Sequence, residues 1–229
     1  MDDFKLRFYV NFIKDDRYMY LIKGLQNTLI ITFFSALLGI LLGFLVAIIR
    51  STYEKTGKCK ILNAVCKVYL TVIRGTPMMV QLLIMCYVVF GSYNLNKIVV
   101  AFLAFGFNSG AYVAEIVRSG IMSIDPGQME AGRSLGFSYG KTMWYIILPQ
   151  AFKNILPALA NEFIVLLKET SVCGYIGLMD LTRGGDIIRS RTYEAFLPLI
   201  AVALIYLVIV MILTNLVGRL ERRLRTSER

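Results

Sequence analysis

From Ile30 to Ile49 the chain reads IITFFSALLGILLGFLVAII, twenty residues without a charge. Gly75 to Asn96 and Ala195 to Gly218 are similar uncharged runs. About 20 helical residues cross a hydrocarbon core roughly 30 Å thick, so each run is long enough to span a bilayer. A core helix of a large soluble protein would carry a polar stripe, and these runs carry none. Two weaker segments complete the pattern. Ile98 to Ala114 is uncharged for seventeen residues and continues through EIVRSGI, and Thr142 to Leu167 is apolar but broken by Lys153 and Glu162. The pattern predicts an all-α membrane protein. It forms a single transmembrane domain with five spans at about 22–49, 68–92, 97–121, 145–169 and 193–219. The third and fourth carry intramembrane charges and are expected to face a protein interior.

Composition agrees: 57% of the 229 residues are hydrophobic and 17% charged, against about 45–50% apolar in soluble domains. No histidine is present, which removes the commonest acid–base catalyst and metal ligand. Cys59, Cys66, Cys86 and Cys173 form no C-x-x-C pair and read as apolar fillers or free thiols without a structural disulfide. The first apolar segment is too long for the core of a cleavable signal, and no A-x-A-like site follows it.

Basic residues suggest an orientation. The loop after the first span, the connection between the third and fourth, and the tail hold thirteen Lys and Arg, against nine on the other side. The positive-inside bias then places the N-terminus outside and the C-terminus in the cytoplasm. The opening stretch DDFKLRFYVNFIKDDRYMYLIK mixes charges with aromatics and is expected to lie as an amphipathic segment at the outer interface of the bilayer. The net charge of +10 is thus a membrane signature. No single basic stripe forms, so nucleic-acid binding is not expected.

GFSYGKT (136–142) superficially resembles a nucleotide-binding loop. A P-loop needs four residues between its glycines, and here Gly136 and Gly140 enclose three. The residues before it, DPGQMEAGRSL, do not read as the required strand. They read instead as a short helix, about 126–135. Asp125 is placed to cap it, with Pro126 at the first position, Gln128 where a capping-box partner belongs, and Gly136 to end it in a left-handed conformation. Ser138 can cap the next helix.

At these residues the chain resembles the permease subunits of ATP-binding-cassette importers. Their signature E-A-A-x-x-x-G, then about nine residues, then I-x-L-P, is matched by Glu130-Ala131-Gly132, Gly136, Ile146 and Leu148-Pro149. Gly132 stands where the family has a second alanine. The blocks YLTVIRGTPMMVQLL, FNSGAYVAEIVRSGI, LPALANEFIVLLKETS and a late RRL resemble the branch importing polar amino acids: histidine, arginine, glutamine. The resemblance implies the type I importer fold in a bacterial plasma (inner) membrane. It implies a second permease subunit, identical or not, and an extracytoplasmic solute-binding protein. It also implies two separate ATPase subunits that bind ATP and Mg, with no cofactor and no enzymatic activity in this chain. The short helix then resembles the coupling helix that docks on the ATPase, carried by Glu130, Ala131, Gly132, Arg133 and Gly136.

Substrate contacts are sought inside the spans. Asn108, Ser109, Tyr112 and Glu115 share one face of the third span, and Glu162 and Glu169 one face of the fourth. Asn108 and Ser109 suit the α-carboxylate or α-amino group of an amino acid. Glu162 lies too deep to reach water along its own helix. It either recognises a cationic substrate or forms an internal ion pair with Arg74 or Lys153. Arg74 to Pro77 (RGTP) interrupts the second span. Pro77 disfavours helix at Thr76, which gives either a simple kink or exposed backbone for a polar ligand. Thr76 and Gln81 join the candidates on that account. The G-x-x-x-G pairs at 39–43 and 106–110 suit close helix packing. A rival function is an ion-coupled secondary carrier using Glu115 and Glu162. An intramembrane lipid enzyme is opposed by the absence of histidine, metal-ligand clusters and any nucleophile–base pair.

Overall fold

The structure is a computed structural model that describes residues 3–226, the side chains of Lys55, Thr56, Arg225 and Thr226 excepted. Lys55, Arg225 and Arg229 of the orientation count therefore lie outside the described side chains. No strand occurs among the described residues.

α1 (Asp3–Phe8) runs through a π turn (Tyr9–Ile13) and is not a span. It turns Phe4, Leu6 and Phe8 outward. A clasp holds it to the far end of the chain: Arg7 pairs with Glu194, and Asn11 Nδ2 donates to Glu194 Oε2 (2.6 Å). α2 (Tyr18–Thr56) has 39 residues, about 58 Å of helix, longer than a hydrocarbon core of roughly 30 Å requires. Gly57 ends it at φ +64, its N–H donating to the Tyr53 carbonyl at 2.9 Å. A glycine suits this left-handed cap because it has no Cβ to clash.

The second span differs from expectation. It begins at Lys60 rather than near 68 and consists of two helices, α3 (Lys60–Gly75) and α4 (Met78–Ile84, with a π turn to Val89), bent by 112°. That is far more than a kink. Thr76, preceding proline, is extended (φ −124, ψ 146). The backbone freed by the break is met by Gln81, whose Nε2 reaches the carbonyls of Ile73 (2.7 Å) and Thr76 (3.0 Å) and the Thr76 hydroxyl (2.8 Å). Non-helical backbone at membrane depth needs such protein partners.

α5 (Lys97–Met122) is the most buried helix, started by Asn96, whose side chain accepts from the Ile98 N–H at 2.9 Å. It lies closely along α2. A Cβ on Gly39 would stand 2.8 Å from the Ser109 Cβ, and one on Gly106 2.6 Å from Leu38 Cδ2. The glycine pairs thus serve helix approach, as expected. Two short helices follow, α6 (Pro126–Ser134) and α7 (Tyr139–Thr142), and then α8 (Leu148–Glu169). Ile31, Leu82, Phe105, Leu166 and Ile176 form a core cluster that joins α2, α4, α5 and α8. α9 (Leu181–Thr192) is a helix the sequence pattern did not suggest, and α10 (Phe196–Thr226) closes the fold.

Among the described residues three segments can cross a membrane by length and composition, Tyr18–Glu54, Lys97–Met122 and Phe196–Leu224, and the bent pair counts as a fourth if it is one span. The 22-residue α8 carries Lys153, Glu162, Lys168 and Glu169 and is not among them. Its apolar remainder packs on α5 and α10. All four cysteines are free.

Candidate functional site

α5 and α8 approach the broken second span around a cavity of about 490 Å³, whose wall includes Arg74, Tyr112, Glu115, Ser119, Asn154 and Glu162. The sequence candidates fall into three groups about it. Thr76, Gln81 and Asn108 form one: Asn108, buried, donates through Nδ2 to Gln81 Oε1 at 2.9 Å, while Gln81 holds the break as described. Their polar atoms are engaged with one another, and none of the three lines the cavity.

Ser109 and Glu162 form the second. Fully buried Ser109 donates through Oγ to Glu162 Oε1 at 2.9 Å. No ion pair to Glu162 occurs among the described residues, so neither Arg74 nor Lys153 takes the role left open for it. Arg74 is engaged elsewhere, in the third group. There Glu115 pairs with Arg118 one turn along α5 (Nε to the two carboxylate oxygens at 3.1 and 3.2 Å). Arg74 Nη1 lies 3.5 Å from Glu115 Oε2, and its guanidinium carbon 5.9 Å from the Tyr112 ring centre. Such a placement is a cation–π contact.

Sequence reasoning missed Ser119 and Asn154, and offered Arg74 to Glu162 where the structure gives it to Glu115. A signal existed for the first two. Ser119 follows Glu115 by four residues, and Asn154, Ala158 and Glu162 are spaced by fours along α8, the spacing of one helical face. Arg118, one of the basic residues assigned by pattern to the connection between the third and fourth spans, sits on α5 as the i+3 partner of Glu115.

The second functional element lies between α5 and α8. Asp125 accepts from the Gly127 N–H (2.8 Å), Pro126 holds the first position, and Gly136 takes φ +82. Gly136 N–H donates to Arg133 O (3.0 Å) and Phe137 N–H to Gly132 O (3.2 Å), the paired bonds of a Schellman end. Ser138 caps α7 through Lys141 N–H at 3.4 Å. Gln128 does not complete a capping box; its Oε1 faces Gln150 Nε2 at 3.5 Å. Gly132 is buried against α7: a Cβ there would lie 2.5 Å from Thr142 Cγ2, which accounts for glycine at that position. Glu130, Ala131 and Arg133 are exposed, and the two charged groups make no ion pair within the described chain. Leu135 (77% exposed) and Phe137 stand beside them. The result is a rigid, doubly capped helix presenting charge and apolar surface outward.

Comparison with known proteins covers most of the chain. Residues 39–226 match the family described as the binding-protein-dependent transport system inner membrane component. The chain is 40% identical over 215 residues to the arginine transport system permease protein ArtQ of Bacillus subtilis (strain 168), covering 91% of this chain and 94% of that one. It is 37% identical over 208 residues to the glutamine transport system permease protein GlnP of Escherichia coli (strain K12), with 90% and 93% covered. Among solved structures it is similar to an amino acid ABC transporter crystallised with histidines (TM-score 0.85, 42% identity, 97% and 99% covered). It is also similar to the inward-facing methionine ABC transporter MetNI (TM-score 0.76, 19% identity, 92% and 99% covered). At that lower identity the likeness concerns the fold alone.

Proposed function

This chain belongs to the binding-protein-dependent transport system inner membrane component family, and from that premise we propose that it forms the translocation pathway for a polar, basic L-amino acid. It has the type I importer permease fold and is a transport subunit of an ATP-driven amino-acid importer, not an enzyme. ATP is hydrolysed in a separate subunit. The secondary-carrier reading loses its ground with family membership, because the driving step then belongs to that ATPase.

The observation that carries the substrate class is Glu162. Its carboxylate lies on the cavity wall, held by Ser109 at 2.9 Å and by no cation of the described chain. An uncompensated carboxylate at membrane depth is a functional feature by default, because its desolvation is otherwise costly. The cavity, about 490 Å³, falls in the usual range of about 300–1,000 Å³ for small-molecule sites. Tyr112 and Glu115 supply a second, mixed aromatic and anionic face. Thr76, Gln81, Asn108 and Ser109 act from behind, fixing the break and the Glu162 carboxylate.

The assembly follows the same reading. A second permease subunit, identical or homologous, completes the pathway. Two ATPase subunits carrying ATP and Mg dock on α6 through Glu130, Ala131, Arg133 and the Gly132–Gly136 end. A solute-binding protein delivers substrate outside a bacterial plasma membrane, with the N-terminus outside and the C-terminus in the cytoplasm. Five spans are then required, α8 crossing beside α5 and α10 in spite of its charges.

Glu162→Gln tests the proposal. The shape and the Ser109 contact stay while the charge goes. A hydrogen bond to a charged group contributes about 1.5–3 kcal/mol, so arginine binding by the assembled complex should weaken roughly 10- to 100-fold. Glutamine binding should change less. Equal losses for both substrates would remove Glu162 from cation recognition.

A further inference from the structure

The cavity wall already holds a guanidinium. Arg74 sits on a carboxylate, Glu115, and an aromatic face, Tyr112. Carboxylate plus aromatic ring is a general way to bind an arginine side chain, from this chain or from a ligand. Arg74, Glu115 and Glu162 are the charged groups of that wall. A cationic substrate entering it meets its two acids and one competing cation.

Two features make the Arg74 contact exchangeable. Its side chain is 44% exposed, and ion pairs so open to water are weak. Glu115 also keeps Arg118 as a partner on its own helix, so departure of Arg74 does not leave an orphaned charge. Arg74 is at the same time tethered, one residue before Gly75 ends α3 and the 112° break begins. The stitched break fixes where its backbone stands while the long side chain stays free to swing.

We propose, resting on the reading that the substrate is a basic amino acid, that Arg74 is a tethered competitor for the substrate's cationic group at Tyr112 and Glu115. Substrate binds by displacing the Arg74 guanidinium, and the return of Arg74 favours release. Arg74 therefore lowers affinity for cations specifically, and does little to a neutral amino acid.

The test is equilibrium binding of labelled arginine and labelled glutamine to the detergent-purified permease–ATPase complex, without the solute-binding protein. Arg74→Gln should tighten arginine binding by about three- to fivefold, the scale of a half-exposed ion pair, and leave glutamine binding unchanged. Adding Glu115→Gln to Arg74→Gln should abolish the gain. A purely structural role of Arg74 at the break predicts the opposite sign, weaker binding of both amino acids together. If Arg74→Gln does not assemble, Arg74→Lys replaces it: the compact ammonium loses the planar stack, and arginine binding should tighten by about twofold. Equal or weaker arginine binding in the variant that assembles overturns the proposal. Failure of the unmodified complex to bind arginine or lysine at all overturns the basic-substrate reading beneath it.

Discussion

Gly132→Ala restores the alanine that the family signature carries, and it should nevertheless impair the protein. Alanine in place of glycine favours a helix by about 1 kcal/mol. The added Cβ, however, would stand 2.5 Å from Thr142 Cγ2 and 3.0 Å from Ile146 Cδ1. Overpacking of this kind costs about 1–3 kcal/mol. Thr142 has little freedom to move away. It is fully buried, and its hydroxyl donates to the Ser138 carbonyl at 3.2 Å, a bond that rotation would break, at about 1 kcal/mol. The balance is a loss of about 1–3 kcal/mol localised between α6 and α7, roughly a 5- to 150-fold rise in the population with α6 loosened. A loosened helix transmits motion poorly. Substrate-stimulated ATPase activity of the reconstituted complex should fall several-fold, with a small drop in melting temperature. Pairing the change with Thr142→Ser removes the obstructing methyl and keeps the hydroxyl, which stands 3.0 Å from the added Cβ, so the double variant should recover much of the loss. The reasoning is refuted if Gly132→Ala alone equals or exceeds the parent in both readings, or if Thr142→Ser brings no recovery.

Three further outcomes are expected. Glu130→Arg reverses an exposed charge on α6; mismatched charges at an interface cost several kcal/mol, so a tagged variant should insert normally but recover little ATPase subunit, and full recovery with full uptake would falsify the docking role. The chain purified alone should hydrolyse no ATP, and Lys141→Ala should leave nucleotide binding by the complex intact, because GFSYGKT lacks P-loop spacing; nucleotide cross-linking at Lys141 would contradict this. Asp180, at the start of α9, has its carboxyl pushed up by burial from 3.8 to about 6, with backbone hydrogen bonds partly opposing. The folded chain thus holds that proton more tightly, and the associated stability is full below 3.8 and lost as pH rises through about 6. Asp180→Asn keeps a capping oxygen and should flatten that part of the melting-temperature profile, whereas superimposable slopes would rule the assignment out.

Features decided by nearby residues were legible in the sequence. Asp125, Pro126, Gly136 and Ser138 act within a few positions of themselves, and each does in the structure what its position suggests. The uncharged runs of α2 and α10 also announce themselves, since hydropathy needs no partner. Features decided across the fold were not. α9 is polar and contains Gly184 and Gly185, poor helix formers; it stands because Asp180 caps it and because Gly184 admits the Tyr20 carbonyl, 2.5 Å from where a Cβ would be. The 112° bend followed from Pro77 in place but not in size, which depends on Gln81 reaching back over the break. In the candidate site, the helical faces of α5 and α8 were readable by spacing. Which cation each carboxylate takes was not. Glu115 is served from α3 as well as from its own helix, and Glu162 meets a serine on another helix instead of the arginine its charge invites.

On the reading proposed above, this chain moves a basic amino acid only when a separate ATPase drives it. The direct measurement is uptake of labelled arginine into proteoliposomes holding the full complex, with ATP supplied to the ATPase side, compared with vesicles of this permease without ATPase subunits under an imposed sodium or proton gradient. Uptake that needs ATP, stops with a hydrolysis-deficient ATPase and is absent under the gradient alone is the predicted result. Concentrative arginine uptake by the permease under the gradient, with no ATPase present, would contradict the account.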